Sequence, residues 1–169
     1  MLKPLKTRAS RSNNSQFAIV ASRYNARYVD AMLRAAQAEL RRAGVERVQV
    51  IRVPGAFEIP VVAARLARES SGHVSRFTFH SSPSAIICLG VILRGETTHA
   101  AHIAEAVSRA LMQIQLRYEV PVIHEVLLLE NEEQARVRCL GKKFNRGTEA
   151  ARTALAMARL MDNIRRRHI

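Results

Sequence analysis

Ala85-Ile86-Ile87-Cys88-Leu89-Gly90-Val91-Ile92-Leu93-Arg94-Gly95-Glu96-Thr97-Thr98-His99 is the stretch on which the fold turns. Residues 85–92 form the longest nearly continuous apolar run in the chain, rich in Ile and Val, which suits a strand buried on both faces. Residues 90–99 then pass through a glycine-bounded polar turn into a helical pattern. That layout suits an anion. Amides freed by the turn and the positive end of the helix behind it face an incoming phosphate, with the Thr97 hydroxyl as an added donor. His99 stands next to this turn as a candidate proton carrier.

On either side, short apolar runs alternate with helical periodicity. Residues 17–21 read as a strand, and Val29, Met32, Leu33, Ala36 and Leu40 recur at helical spacing, from Asn25 as N-cap to Gly44 as the stop. A second strand spans 48–53 and ends at Pro54-Gly55. A helix carrying Ile59, Val62 and Leu66 follows, with Pro60 tolerated in its first turn. Residues 70–84 break the rhythm and read as a surface loop, with 76–79 as a possible extended piece. Beyond the central run, Ile103, Val107, Ala110, Leu111 and Ile114 mark a long helix and 120–129 a fourth strand. A short helix over 132–139 and a break over 141–147 come next, before a final helix carrying Ala150, Ala154, Leu155, Ala158 and Met161. Strands that alternate with helices pair in parallel, so the expectation is an α/β, three-layer αβα sandwich.

With 169 residues, 48% of them hydrophobic, one domain with a real core is expected over 16–169, behind a basic arm at 1–15. No apolar run approaches the roughly 20 residues that span a bilayer, and no apolar segment follows the N-terminal charges. A soluble, cytoplasmic protein with no membrane partner is expected. Cys88 and Cys139 lack the paired spacing of zinc or redox motifs and read as two buried thiols. The net charge of +13 invites a nucleic-acid reading. Much of the excess sits in the tails, however (Lys3, Lys6, Arg8, Arg11; Arg165, Arg166, Arg167), and 5% aromatics without Trp provide no stacking platform, so nucleic acid is not the expected partner.

In open parallel sheets, ligands bind beyond the carboxyl ends of the strands. The segments leaving the first three strands bring Tyr24, Phe57 beside Glu58, the turn at 94–98 and His99 to one edge. The set suits a ligand with a flat ring, hydroxyl groups and a phosphate: Tyr24 can stack, and Glu58 can accept from a polyol. Each residue alone has an ordinary structural explanation, and their convergence carries the argument. Gly90-x4-Gly95 imitates a nucleotide-binding loop, but Glu96 stands where that loop needs lysine. His99, His102 and Glu105 fall on one helix at a spacing that could ligate a metal, without a second cluster to complete a shell. Arg138 and Arg146 are not distinguishable by pattern from solvated charges.

Residues 21–25 (Ala-Ser-Arg-Tyr-Asn), 53–60 (Val-Pro-Gly-Ala-Phe-Glu-Ile-Pro), 90–99, 133–135 (Glu-Gln-Ala) and 145–151 (Asn-Arg-Gly-Thr-Glu-Ala-Ala) together resemble the 6,7-dimethyl-8-ribityllumazine synthases. Five motifs in the right order, from about 17 to 164, make the resemblance specific; the loop at 70–83 looks longer than usual. It implies a flavodoxin-like, four-stranded parallel sheet and a penultimate step of riboflavin biosynthesis. In that step 5-amino-6-(D-ribitylamino)uracil condenses with 3,4-dihydroxy-2-butanone 4-phosphate to give the lumazine, phosphate and water, with no metal or organic cofactor. It further implies that Tyr24 stacks on the pyrimidine, that Ala56, Phe57 and Glu58 bind the ribityl chain, and that Val91, Ile92 and Leu93 line the pyrimidine. Glu96, Thr97, Arg138 and Arg146 match phosphate-binding positions, His99 the proton donor, and Glu149 an acid that pairs with that histidine.

By the same resemblance, the partners are small-molecule substrates and further copies of the chain. The site lies between neighbouring subunits of a pentamer, the second subunit giving His124 and Arg138, and no insertion at 141–145 speaks against an icosahedral shell. The chain departs from the family at several points. His124-Glu125 stand where an aromatic residue and glycine are usual, Arg146 where lysine is, and Glu96 where a small residue is. Ala100-Ala101-His102 replace a Phe-acidic-Tyr stretch. A scaffold that keeps the fold and has lost turnover is the second reading.

Overall fold

The computed structural model describes residues 16–70, 83–141 and 144–167. Four parallel strands, β1 (Gln16–Ser22), β2 (Arg47–Val53), β3 (Ala85–Leu93) and β4 (Val122–Leu129), form one sheet in the order β2-β1-β3-β4. Helices α1 (Ala26–Arg42), α2 (Ile59–Ser70), α3 (His99–Tyr118), α4 (Glu132–Ala135) and α5 (Arg146–Arg167) complete the described chain. The expected three-layer α/β sandwich is therefore what forms. Alternation along the strands divides the core. Phe17, Ile19, Ala21, Ile87, Leu89, Ile123 and Leu129 face α1 and α5, whereas Ala18, Val20, Ile86, Cys88, Val122 and Val126 face α2 and α3. β3 lies inside the sheet with both faces covered, which is why its sequence lacks polar alternation.

Glycine and proline set the punctuation. Gly44, at φ 82°, ends α1 as expected. Pro60 sits in the first turn of α2, behind a 3-10 turn at Ala56–Glu58. The fourth strand begins at Val122 and not at 120: Pro121 has no N–H to give the ladder and only its carbonyl joins it, accepting from Ile86 N at 2.8 Å. Asn25 precedes α1 as expected but does not cap it with its side chain. Its backbone is left-handed (φ 53°), and its Nδ2 donates to Val91 O at 2.8 Å, tying the first loop to β3.

Three further expectations change in detail. Gly90 does not bound the turn, because β3 runs on to Leu93; a Cβ there would stand 3.0 Å from Val126 and 3.3 Å from Ile59, so this glycine lets α2 and β4 approach the strand. The short helix over 132–139 is one α turn followed by a π-helical segment, Arg136–Leu140. Arg165, Arg166 and Arg167 are not a loose tail: they form the last turn of α5, where cations suit the helix dipole, and Arg166 pairs with Asp162 at 2.9 Å. The arm at 1–15 and nearly all of the loop at 70–84 lie outside the described residues. Among the described residues no helix is long and apolar enough to cross a membrane.

Candidate active site

Backbone bonds gather the loops at the carboxyl edge of the sheet. Arg23 N donates to Val53 O at 2.8 Å and Tyr24 N to Pro54 O at 3.1 Å, joining the loops after β1 and β2; Asn25 adds β3. Arg94 N donates to Leu129 O at 2.8 Å, linking the ends of β3 and β4. On this platform Tyr24 and Phe57 hold their rings out to solvent, 74% and 62% exposed, although apolar surface of that size normally seeks cover. Ala56, Val91 and Ile92 are buried, while Leu93 is half-buried. Glu58 already has a local task. Its Oε2 accepts from Gly55 N at 2.8 Å and closes the 3-10 turn, which leaves Oε1 for a hydroxyl group.

The turn at 94–98 is exposed throughout, and Thr98 makes no side-chain cap to α3. Among the described residues no backbone carbonyl accepts from the amides of 95–98. Free N–H groups at the start of a 20-residue helix are what an anion needs. Glu96 and Thr97 are exposed in this turn, and His99 is the first residue of α3, exposed beside it. His99, His102 and Glu105 lie along α3, and Glu105 is taken up by Arg109; no group of three potential metal ligands occurs among the described residues.

The remaining candidates lie elsewhere. His124 pairs in register with Cys88, five residues before the end of β3, so it stands about 16 Å along the sheet from the edge just described. It faces α3. Val126 N donates to Nδ1 at 3.3 Å, so Nε2 carries the hydrogen and donates to Ser108 Oγ at 2.7 Å, while the Ser108 hydroxyl donates to Ala104 O at 2.7 Å. Although the residue as a whole is exposed, the part of the ring packed against the protein is desolvated. That lowers its pKa and favours the neutral ring.

Glu125, the next residue, faces the opposite layer and is only 6% exposed. Arg146, at the start of α5, reaches it with Nε at 2.9 Å and gives Nη1 to Glu149 at 2.6 Å. Burial lifts the Glu125 carboxyl to about 7 against the pull of Arg146. Arg138, exposed in the π-helical segment, is close enough to lower the pKa of both Glu125 and Cys139. Burial raises the thiol pKa of Cys88 and Cys139, and both are free and buried, as expected.

The expected site residues thus fall in three places. Tyr24, Ala56, Phe57, Glu58, Val91, Ile92, Leu93, Glu96, Thr97 and His99 share the carboxyl edge. Arg138, Arg146 and Glu149 belong to the α1/α5 layer with Glu125, and His124 lies on the other face of the edge strand β4. Within one chain Glu149 bonds Arg146, and no bond to His99 forms among the described residues. Sequence reasoning noted Glu125 as a departure from the family but missed its partner. A carboxylate inside the apolar run 122–129 was the available signal, since a buried charge requires an opposite one.

A four-stranded parallel sheet in this order, covered by helices on both faces, defines a flavodoxin-like α/β protein, the kind of fold in which ligands sit beyond the carboxyl ends of the strands. A profile of the 6,7-dimethyl-8-ribityllumazine synthase family matches residues 14–162. A 6,7-dimethyl-8-ribityllumazine synthase of Stenotrophomonas maltophilia is 40% identical over 153 residues, 89% of this chain and 92% of its own. Those of Xanthomonas euvesicatoria and Xanthomonas oryzae are 40% and 41% identical over 154 residues, 90% of this chain and 93% of theirs. The chain belongs to the 6,7-dimethyl-8-ribityllumazine synthase family, and its activity is the lumazine-forming condensation of riboflavin biosynthesis.

Proposed function

We propose that the condensation takes place at a site shared between two neighbouring copies of the chain, in an assembly built from pentamers. One copy gives the carboxyl edge: Tyr24 stacks on the pyrimidine, Val91, Ile92 and Leu93 line it, and Ala56, Phe57 and Glu58 hold the ribityl chain. The amides of Glu96 and Thr97 receive the phosphate, which also keeps the Glu96 carboxylate turned outward, since like charges repel. The second copy brings His124 against the ring and Arg138, with Arg146 behind it, against the phosphate. The amine adds to the ketone and water leaves to give an imine. Phosphate is then eliminated, and ring closure releases a second water. His99 carries the proton in these steps, and Glu149 biases the charge around it.

The observation that supports sharing is the separation within one chain. His124 stands about 16 Å from the turn at 94–98, too far for one bound substrate pair to touch both. Holding two substrates together supplies much of the acceleration, so few catalytic groups suffice.

An absorbance assay for lumazine formation tests the reaction, and mixing tests the sharing. His99→Ala and Arg138→Ala chains, each impaired alone, regain up to roughly a quarter of the wild-type sites when dissociated and reassembled together, because some interfaces then combine two intact halves. No gain on mixing refutes the shared site. No lumazine from the wild type favours the scaffold reading.

A further inference from the structure

We infer that Glu125 is a positioning residue for the phosphate substrate: from its buried place on β4 it holds Arg146 at the start of α5 and sets how much positive charge that arginine offers an anion. The inference rests on the shared-site reading above, in which Arg146 stands behind the phosphate.

The geometry gives Arg146 two carboxylates. Nε goes to Glu125 at 2.9 Å and Nη1 to Glu149 at 2.6 Å, while Nη2 has no partner among the described residues and the side chain is one-third exposed. A guanidinium held on two of its edges presents the third in a fixed direction, as a phosphate requires. The hold depends on charge. With both carboxylates ionised, Glu125 and Glu149 outweigh Arg146 by one charge and draw on Arg138 as well; with Glu125 protonated they only balance Arg146, Arg138 is left as a net positive charge, and Glu125 keeps a weaker, neutral acceptor for Nε.

Every charged group around Glu125 bears on this equilibrium. α5 contributes Arg146 and Glu149, and the π-helical segment contributes Arg138 and Cys139, while the ring of His124 turns to the other layer. Burial, the largest influence, carries the Glu125 carboxyl to about 7, so it takes up a proton from solvent within the working range of most enzymes. As pH falls through 7, Arg146 keeps its direction and offers the phosphate more net positive charge.

The test compares the assembled full-length enzyme with Glu125→Gln, which keeps an oxygen to accept from Nε and removes the charge. KM for 3,4-dihydroxy-2-butanone 4-phosphate and kcat are measured from pH 6 to 8.5, with inorganic phosphate as a competitive probe. At pH 8 the variant should show a KM and an inhibition constant about threefold to tenfold below wild type, converging with it at pH 6, and kcat within about twofold. Comparison at each pH cancels the titration of the substrate.

Identical KM profiles in an active wild type and variant overturn this inference and leave the shared site standing. A wild type that makes no lumazine strikes at the earlier reading instead. If Glu125→Gln does not fold, Arg146→Lys provides the second test. An ammonium has no planar fork with one edge for each carboxylate and a third fixed toward the phosphate, so the wild-type fall in phosphate affinity between pH 6 and 8 should shrink by at least half; an unchanged fall refutes the role of the pair.

Discussion

Gly147→Ala is the substitution with the sharpest expected consequence. A methyl at this position would lie 1.9 Å from Met32 O, 2.6 Å from its carbonyl carbon and 2.7 Å from its Cα, all backbone atoms of α1 that no rotamer change can move. Ordinary contact begins near 3.4 Å, so the start of α5 has to retreat by about 1.5 Å. The two helices meet through Met32, Ala36, Ala150, Ala151 and Ala154, each with no exposed surface. A gap of even 1 Å forfeits a quarter to a half of such contacts, so the cost is roughly 3–5 kcal/mol, at or beyond the upper end of overpacking. For a chain of this size that lowers Tm by roughly 6–20 °C. In an open helix the same change would add about 1 kcal/mol of stability, so the sign itself decides. Denaturant unfolding and calorimetry read the difference. Gly95→Ala is the control, because nothing lies within 4 Å of its Cβ and the change should stay within about 0.5 kcal/mol. A Gly147→Ala protein within 1 kcal/mol of wild type would refute the close approach of α1 and α5.

Three further outcomes are expected. His99→Ala lowers kcat roughly tenfold to a hundredfold without lowering Tm, since the side chain is exposed at the head of α3; steady-state kinetics and a melting curve check both halves. Arg138→Ala chiefly raises KM for the phosphate substrate, by about tenfold to a hundredfold, with kcat much less affected; an unchanged KM removes it from the site. The raised pKa of Glu125 makes stability greatest below its unfolded value of 4.5 and costs up to ~3 kcal/mol as pH rises through about 7. Thermal melts from pH 5 to 8 should therefore fall in the wild type more than in Glu125→Gln, and parallel curves would contradict the burial argument.

The layer architecture could be read from the sequence because local pattern and global fold agree. Apolar runs at 17–21 and 85–92 fit the two covered inner strands, the mixed 48–53 fits a half-covered edge strand, and Gly44 and Pro60 punctuate where their backbone chemistry demands. What stayed hidden are contacts made by residues distant in the chain. Asn25 reads as a helix cap because its side chain usually bonds two or three residues ahead, whereas here it reaches Val91 across 66 positions. Gly90 reads as a turn residue until Val126 and Ile59 are seen pressing on it. The carboxyl-edge half of the proposed site followed from the parallel-sheet rule. The other half did not, because Glu125, Arg146 and Glu149 become one unit only when β4 and α5 are packed. Nor does pattern reveal which nitrogen of His124 carries its hydrogen, since Ser108 and Val126 settle that from two different elements.

The two buried thiols give the protein a pair of built-in reporters. Cys88 lies mid-strand in β3, an inner strand, and Cys139 near the end of the five-residue π-helical segment. Alkylating reagents reach neither without some opening of the chain, and a thiolate forms reluctantly at both. Modification of Cys139 requires only that the segment carrying Arg138 lifts away, whereas Cys88 reacts only when the sheet itself comes apart. The ratio of the two alkylation rates therefore separates breathing of the π-helical flank from global unfolding, without any engineered label.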